Sequence, residues 1–103
     1  MDIKKYLEMY LSEGREHLSA LTKGLQFKEG FKAETISELF RGAHSLKGMA
    51  ASMGFETTSK LAHALENILA EWRKGKTPSE GEIGRALRAT DLLETLFEKV
   101  EKE

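Results

Sequence analysis

The sequence predicts an all-α fold, an up-down-up-down antiparallel four-helix bundle, on three observations. Apolar residues recur at three-four spacing through four segments, no window alternates with β-branched enrichment as a strand would, and glycines such as Gly54 and Gly75 separate the segments. Short connections make consecutive amphipathic helices antiparallel neighbours, so four apolar stripes can bury one another. With 103 residues, 40% of them hydrophobic, and a single Pro, one domain spanning residues 1–103 around one core is expected.

The first helix is expected over about residues 2–25, with Ile3, Tyr6, Leu7, Tyr10, Leu11, Leu18, Leu21 and Leu25 on its stripe and Gly14 the one interruption. Asp2 suits its N-cap or first turn, and Gly24 and Gly30 mark its end and the connection after it. The second, about 32–53, carries Ile36, Leu39, Phe40, Ala43, Leu46, Ala50 and Met53, and Thr35 with Glu38 has the spacing of a capping box. Gly54 supplies its stop and Phe55 an apolar clamp, so the third helix, about 57–74, must follow at once beside the second. Leu61, Leu65, Ile68, Leu69 and Trp72 form its stripe, with His63 and Glu66 on a flank. Arg73, Lys74 and Lys76 put positive charge at its C-terminus, a helix-end arrangement in preference to a recognition patch. The fourth helix, about 78–102, starts at Thr77-Pro78-Ser79-Glu80, with Thr77 as N-cap, Pro78 in the first helical position and Glu80 closing a capping box. Its stripe is Ile83, Ala86, Leu87, Thr90, Leu93, Leu96, Phe97 and Val100.

Composition narrows the function classes. The formal charge is −1, from 16 Lys+Arg against 17 Asp+Glu, which gives no global field toward nucleic acid or an anionic membrane. The absence of Cys removes disulfides, thiol nucleophiles and the common zinc frameworks, and is compatible with a cytoplasmic protein. No apolar run approaches the roughly 20 residues of a membrane span, and the N-terminus has no apolar core of a secretory signal. The expected placement is soluble and cytoplasmic, without membrane insertion.

The stretch with chemical content is Ala43-His44-Ser45-Leu46-Lys47-Gly48. As helix it sets His44, Lys47, Gly48 and Ala51 on one stripe, an imidazole beside an ammonium on a surface nearly bare of side chains. An imidazole attacks through the nitrogen that lacks a proton, and a carboxylate accepting from the other N–H fixes that tautomer and raises basicity. Glu66, on the neighbouring helix, is the expected orienter, and His63, one turn from it, the expected second contact of that carboxylate. If the electrophile is a phosphoryl group, Lys47 supplies the cation its oxygens need. Gly48, costly within a helix by roughly 1 kcal/mol relative to Ala, clears the approach to His44, with close helix packing as its plain alternative. His17 has only Glu13 and Glu16 for company and is expected at the surface.

Two other chemistries fit poorly. Carboxylate-bridged metal bundles need Glu-x-x-His on two helices, whereas His63-x-x-Glu66 occurs once, so no metal site is expected. Gly75-Lys76-Thr77 is like the end of a phosphate-binding loop, but Ala70 stands where its first Gly belongs and no strand precedes it. No Gly-x-Gly-x-x-Gly is present either, so this chain has no visible means of holding ATP or another cofactor.

The run Ala43 to Phe55, with Leu61-Ala62-His63-Ala64-Leu65-Glu66-Asn67, closely resembles the histidine-containing phosphotransfer (HPt) domain of chemotaxis histidine kinases of the CheA type. His-x-x-Lys-Gly alone marks phosphotransfer domains generally, and the Gly-Phe turn and His-x-x-Glu-Asn narrow the likeness to the chemotaxis type. The resemblance spans all four helices, including Tyr10 to Leu18 of the first. It implies that His44 is the phosphoacceptor, Glu66 the partner of its other ring nitrogen, and Lys47 and His63 the surrounding polar network. It also implies a donor, the ATP-binding kinase domain of the same protein acting in trans with ATP and Mg, and acceptors, receiver domains of the CheY or CheB type. The chain itself would be a carrier, not an enzyme, expected to be monomeric in isolation. Two features differ from the family pattern: Gly14 stands where Ala is common, and a fifth helix that the family often adds is missing from the expected four. A phosphorelay HPt domain of another signalling system is the nearer alternative, and a non-catalytic helical interaction module the more distant one.

Overall fold

Four helices make up nearly all of residues 2–26 and 31–102, which the computed structural model describes: α1 (Ile3–Leu25), α2 (Ala33–Ser52), α3 (Glu56–Arg73) and α4 (Glu80–Lys102), with no strand among the described residues. The connection assigned to Gly30 lies outside those residues. Helix α1 packs on α2 and α4, and α3 packs on the same two, which closes the ring of an antiparallel bundle.

Helix ends follow local chemistry, and two of them differ from the expected ones. Asp2 caps α1 through Oδ1, which accepts the Lys5 amide at 3.2 Å. Helix α2 begins at Ala33 after Lys32, which makes no side-chain cap, so Thr35 already lies in the first turn and Thr35 and Glu38 form no capping box. Glu34 in that turn supplies the negative charge that a helix N-terminus favours. At α4 the capping box is Ser79 with Glu82, two residues beyond the expected Thr77 and Glu80. Ser79 Oγ accepts the Glu82 amide at 3.1 Å, and Glu82 Oε1 accepts the Ser79 amide at 3.1 Å. Lys76 Nζ donates to Glu82 Oε2 at 2.9 Å, and this bond, ahead of those from Ser79, pulls the Glu82 carboxyl down to about 2. Pro78 therefore precedes the helix, where its fixed φ still suits the turn.

The turn between α2 and α3 sets the site's frame. Gly54 has φ +80°, a left-handed conformation that an L side chain rarely adopts, and the Phe55 amide reaches back to the Ala50 carbonyl at 2.9 Å. The Gly54 amide bonds the Ala51 carbonyl at 3.1 Å, completing a Schellman motif that reverses the chain within three residues. Helices α2 and α3 form the most extensive pairing of the bundle, and Ala43, Ala50 and Ala62 on them are 0% exposed, small side chains that permit a close approach. Leu46, Leu65, Leu69, Leu93 and Phe97 are equally buried and fill the centre, each worth roughly 1.5–3 kcal/mol on burial.

An aromatic layer closes one end. Tyr10 stacks on Phe97 with centroids 4.6 Å apart and tilts against Phe55 at 5.2 Å. Burial pushes the Tyr10 phenol up to about 12, with Thr58 a weaker opposing influence that makes no well-formed hydrogen bond to it. Gly14 is part of this layer: a Cβ there would lie 2.2 Å from Phe97 Cε2, so the bare backbone is what admits the ring. Ile3 and Tyr6, expected on the buried stripe, are 73% and 50% exposed. Both precede Tyr10, the first buried residue of α1. In α3 the buried line runs through Thr58, Ala62, Leu65, Leu69 and Trp72, which leaves Leu61 and Ile68 half-buried and draws Glu66 inward.

Candidate functional site

The facing surfaces of α2 and α3 bring His44, Lys47 and Glu66 together. Glu66 Oε2 meets His44 Nδ1, and Glu66 Oε1 accepts from Lys47 Nζ at 2.8 Å. The glutamate side chain is 8% exposed and the imidazole 62%, so the anchor is buried while the ring stands in solvent. The antiparallel α2–α3 hairpin explains the meeting, because residues on either side of the Gly54 turn face one another at matching heights. Ser59 Oγ ties the two helices together by donating to the Lys47 carbonyl at 3.1 Å.

The electrostatics of Glu66 set the ring's tautomer. Burial alone would raise the Glu66 carboxyl, but the hydrogen bonds from Lys47 and His44 and the attraction of their charges outweigh it and hold it below the ordinary carboxylate value. An ionised carboxylate can only accept, so Nδ1 of His44 carries the proton that points at Oε2. In the neutral ring the lone pair then lies on Nε2, on the far side from Glu66.

The remaining predicted residues fall around this pair. His63 is exposed, with Nε2 3.9 Å from Glu66 Oε1, too long for a hydrogen bond and close enough for a charge contact when the ring is protonated. Gly48 is exposed, and a Cβ there would meet nothing within 4 Å, so the glycine opens surface one turn from His44 and packs against no helix. His17 is away from this cluster, half-buried in a shallow groove between α1 and α2. Among the described residues no group of three or more His, Asp or Glu side chains is arranged to hold a metal ion.

Phe40 lies beside His44, and Arg73 beyond it. The Phe40 ring lies nearly parallel to the imidazole, 13° between planes and 6.1 Å between centroids, and the Arg73 guanidinium sits over Phe40, 4.1 Å from its centroid. Phe40 belongs to the predicted apolar stripe of α2, and its i, i+4 spacing to His44 is the sequence signal for this contact. Arg73 is the basic residue of the last turn of α3, as the sequence predicts, and it covers Phe40 as well. The basic cluster it belongs to is dispersed, Arg73 over Phe40 and Lys76 on Glu82.

The family described as "Hpt domain" matches residues 5–102. The chemotaxis protein CheA of Bacillus subtilis is 33% identical over 97% of this chain, which covers 15% of that protein. The chemotaxis protein CheA of Halobacterium salinarum is 36% identical over 93% of the chain, again covering 15% of its own length. The CheA phosphotransferase domain from Thermotoga maritima superposes with a TM-score of 0.87 at 32% identity, over 97% of this chain and 98% of that one. The chain thus spans about a seventh of the length of the two curated relatives and nearly all of the solved domain. No described helix is long and apolar enough to cross a membrane.

Proposed function

The chain belongs to the Hpt domain family, and from that premise we propose that it carries a phosphoryl group on Nε2 of His44 within a chemotaxis signalling system. The observation that supports this most is the pairing of an exposed imidazole with a buried carboxylate through Nδ1. In the forward step the Nε2 lone pair attacks the terminal phosphorus of ATP held by a kinase domain, the N–P bond forms, and the P–O bond to ADP breaks. Nδ1 keeps its proton, and the positive charge that grows on the ring is balanced by Glu66. In the return step a carboxylate oxygen of a receiver-domain aspartate attacks the phosphorus, the N–P bond breaks, and the neutral ring is regenerated.

Each neighbouring residue has a part in this account. Glu66 orients the ring and sets its tautomer. Lys47, one turn from His44 and bound to Glu66, offers a cation near the incoming phosphoryl oxygens. His63 adds a charge contact to the same carboxylate when its ring is protonated, and the open surface at Gly48 admits a partner's active site. The donor is the ATP- and Mg-binding domain of a kinase, acting in trans, and the acceptors are receiver domains of the CheY or CheB type. On this reading the chain is a carrier and holds no ATP of its own, and it works in the cytoplasm.

The direct test is incubation with a cognate kinase domain and ATP. An acid-labile adduct should form on the wild-type chain and be lost in His44→Gln. An undiminished yield in that variant would remove His44 as acceptor and favour a binding module in which the histidine is incidental.

A further inference from the structure

The hydrogen bond at Nδ1, with the attachment at Cγ, limits the imidazole to a narrow range of χ1 and χ2, and within that range a contact on the face of the ring sets its tilt. For a ring 62% exposed, little else restrains it, yet the direction in which Nε2 points depends on the plane of the ring. The near-parallel Phe40 ring, 13° from the imidazole plane, is the one aromatic surface beside His44 among the described residues. Phe40 is itself half-buried and needs its own rotamer held. Arg73 does so from α3, with its guanidinium 4.1 Å from the ring centroid.

The placement follows from the helix geometry. Glu66 and Arg73 lie seven residues apart, two turns along one face of α3, while His44 and Phe40 lie four apart on α2, which runs the other way. A long side chain on a helix leans toward its own N-terminus, which brings the Arg73 guanidinium back from the level of Ser37 to that of Phe40. Helix α3 thus grips the acceptor helix twice, once at Nδ1 and once, through Phe40, at the plane of the ring.

We propose that Phe40, held by Arg73, is a positioning residue that sets the plane of the His44 imidazole and so the direction of Nε2. The inference rests on His44 being the acceptor. It concerns how fast a bound donor is used, and leaves the binding of that donor unchanged. Aromatic contacts of this kind correspond to roughly two- to tenfold in an equilibrium, which sets the scale of the effect.

The test uses Phe40→Leu, Phe40→Tyr and Arg73→Gln, with phosphorylation kinetics and ¹⁵N NMR of the His44 ring measured on each. Phe40→Leu should lower kcat roughly two- to tenfold with KM unchanged, and should broaden the ring signals or shift them from a single tautomer. Phe40→Tyr should restore both readouts. Arg73→Gln, a change at an exposed residue, should move both in the same direction by a smaller factor, and it carries the test if Phe40→Leu fails to fold. Wild-type kcat and ring signals in Phe40→Leu would overturn the proposal. So would a loss confined to KM, or one that Phe40→Tyr does not repair, since either makes Phe40 a contact for the partner. A parallel His44→Gln sample separates this failure from that of the acceptor assignment, because only the latter leaves labelling intact in that variant.

Discussion

Replacing Glu66 should cost the site far more activity than stability. A buried ion pair that loses one member commonly costs about 3–5 kcal/mol, because the other charge is left stranded without water. Here the groups left behind are a lysine side chain 28% exposed and an imidazole 62% exposed, and both reach solvent without unfolding. The hydrogen bonds lost are further offset by the relief of burying a carboxylate. Glu66→Ala should therefore destabilise the chain by only about 1 kcal/mol, a melting shift of roughly 4–8 °C for a domain of this size. Phosphorylation should fall much further, by about 10- to 100-fold in kcat, because the ring loses both its tautomer and its orientation. Glu66→Gln sharpens the reasoning. Lys47 has only donors and claims the amide oxygen, which turns the amide NH₂ toward His44 and requires Nδ1 to accept. The proton then sits on Nε2, the attacking position, so the isosteric variant should be at least as slow as Glu66→Ala. The assay is single-turnover labelling with saturating kinase domain, accompanied by thermal melts. Near-wild-type labelling in Glu66→Gln would refute the argument from the tautomer.

Gly14→Ala sets helix propensity against packing: Ala gains about 1 kcal/mol in a helix, while overpacking costs about 1–3 kcal/mol. The new Cβ would lie 2.2 and 2.5 Å from two atoms of a fully buried Phe97 ring that is already stacked on Tyr10, so packing should win and the melting temperature should drop. In a Phe97→Leu background the same change should be neutral or stabilising, and stabilisation in the wild-type background would contradict the described layer. The Glu82 carboxyl, lowered from 4.5 to about 2, favours the folded state above the higher value and loses that contribution as pH falls toward the lower one. A ¹³C titration should give a midpoint near 2 that moves up in Lys76→Met, and a midpoint near 4.5 in the wild-type chain would remove the Lys76 and Ser79 contacts from the account.

The fold was legible because periodicity and glycine stops both act locally. The Schellman turn at Gly54 follows from a residue that tolerates positive φ followed by an apolar one, and the close α2–α3 pairing follows from that turn. The capping boxes at Thr35 and Thr77 were misplaced because several Ser, Thr and Glu residues satisfy the same spacing. Tertiary contacts chose among them, as when Lys76 reaches Glu82. Exposure of Ile3 and Tyr6 was hidden because a helix stripe carries no mark of where burial begins along it. At the site, the spacing of His44 and Lys47 and the turn to Glu66 were enough to bring the three together. The depth of Glu66 and the Arg73 contact depend on helix rotation and side-chain reach, which the sequence pattern does not specify.

NMR of the phosphorylated, ¹⁵N-histidine-labelled chain shows whether Nε2 of His44 carries the phosphoryl group while Nδ1 stays bonded to Glu66. The account predicts phosphorus–nitrogen coupling at Nε2 of His44 alone, with Nδ1 still protonated. Coupling at Nδ1, or on the ring of His17 or His63, would contradict it.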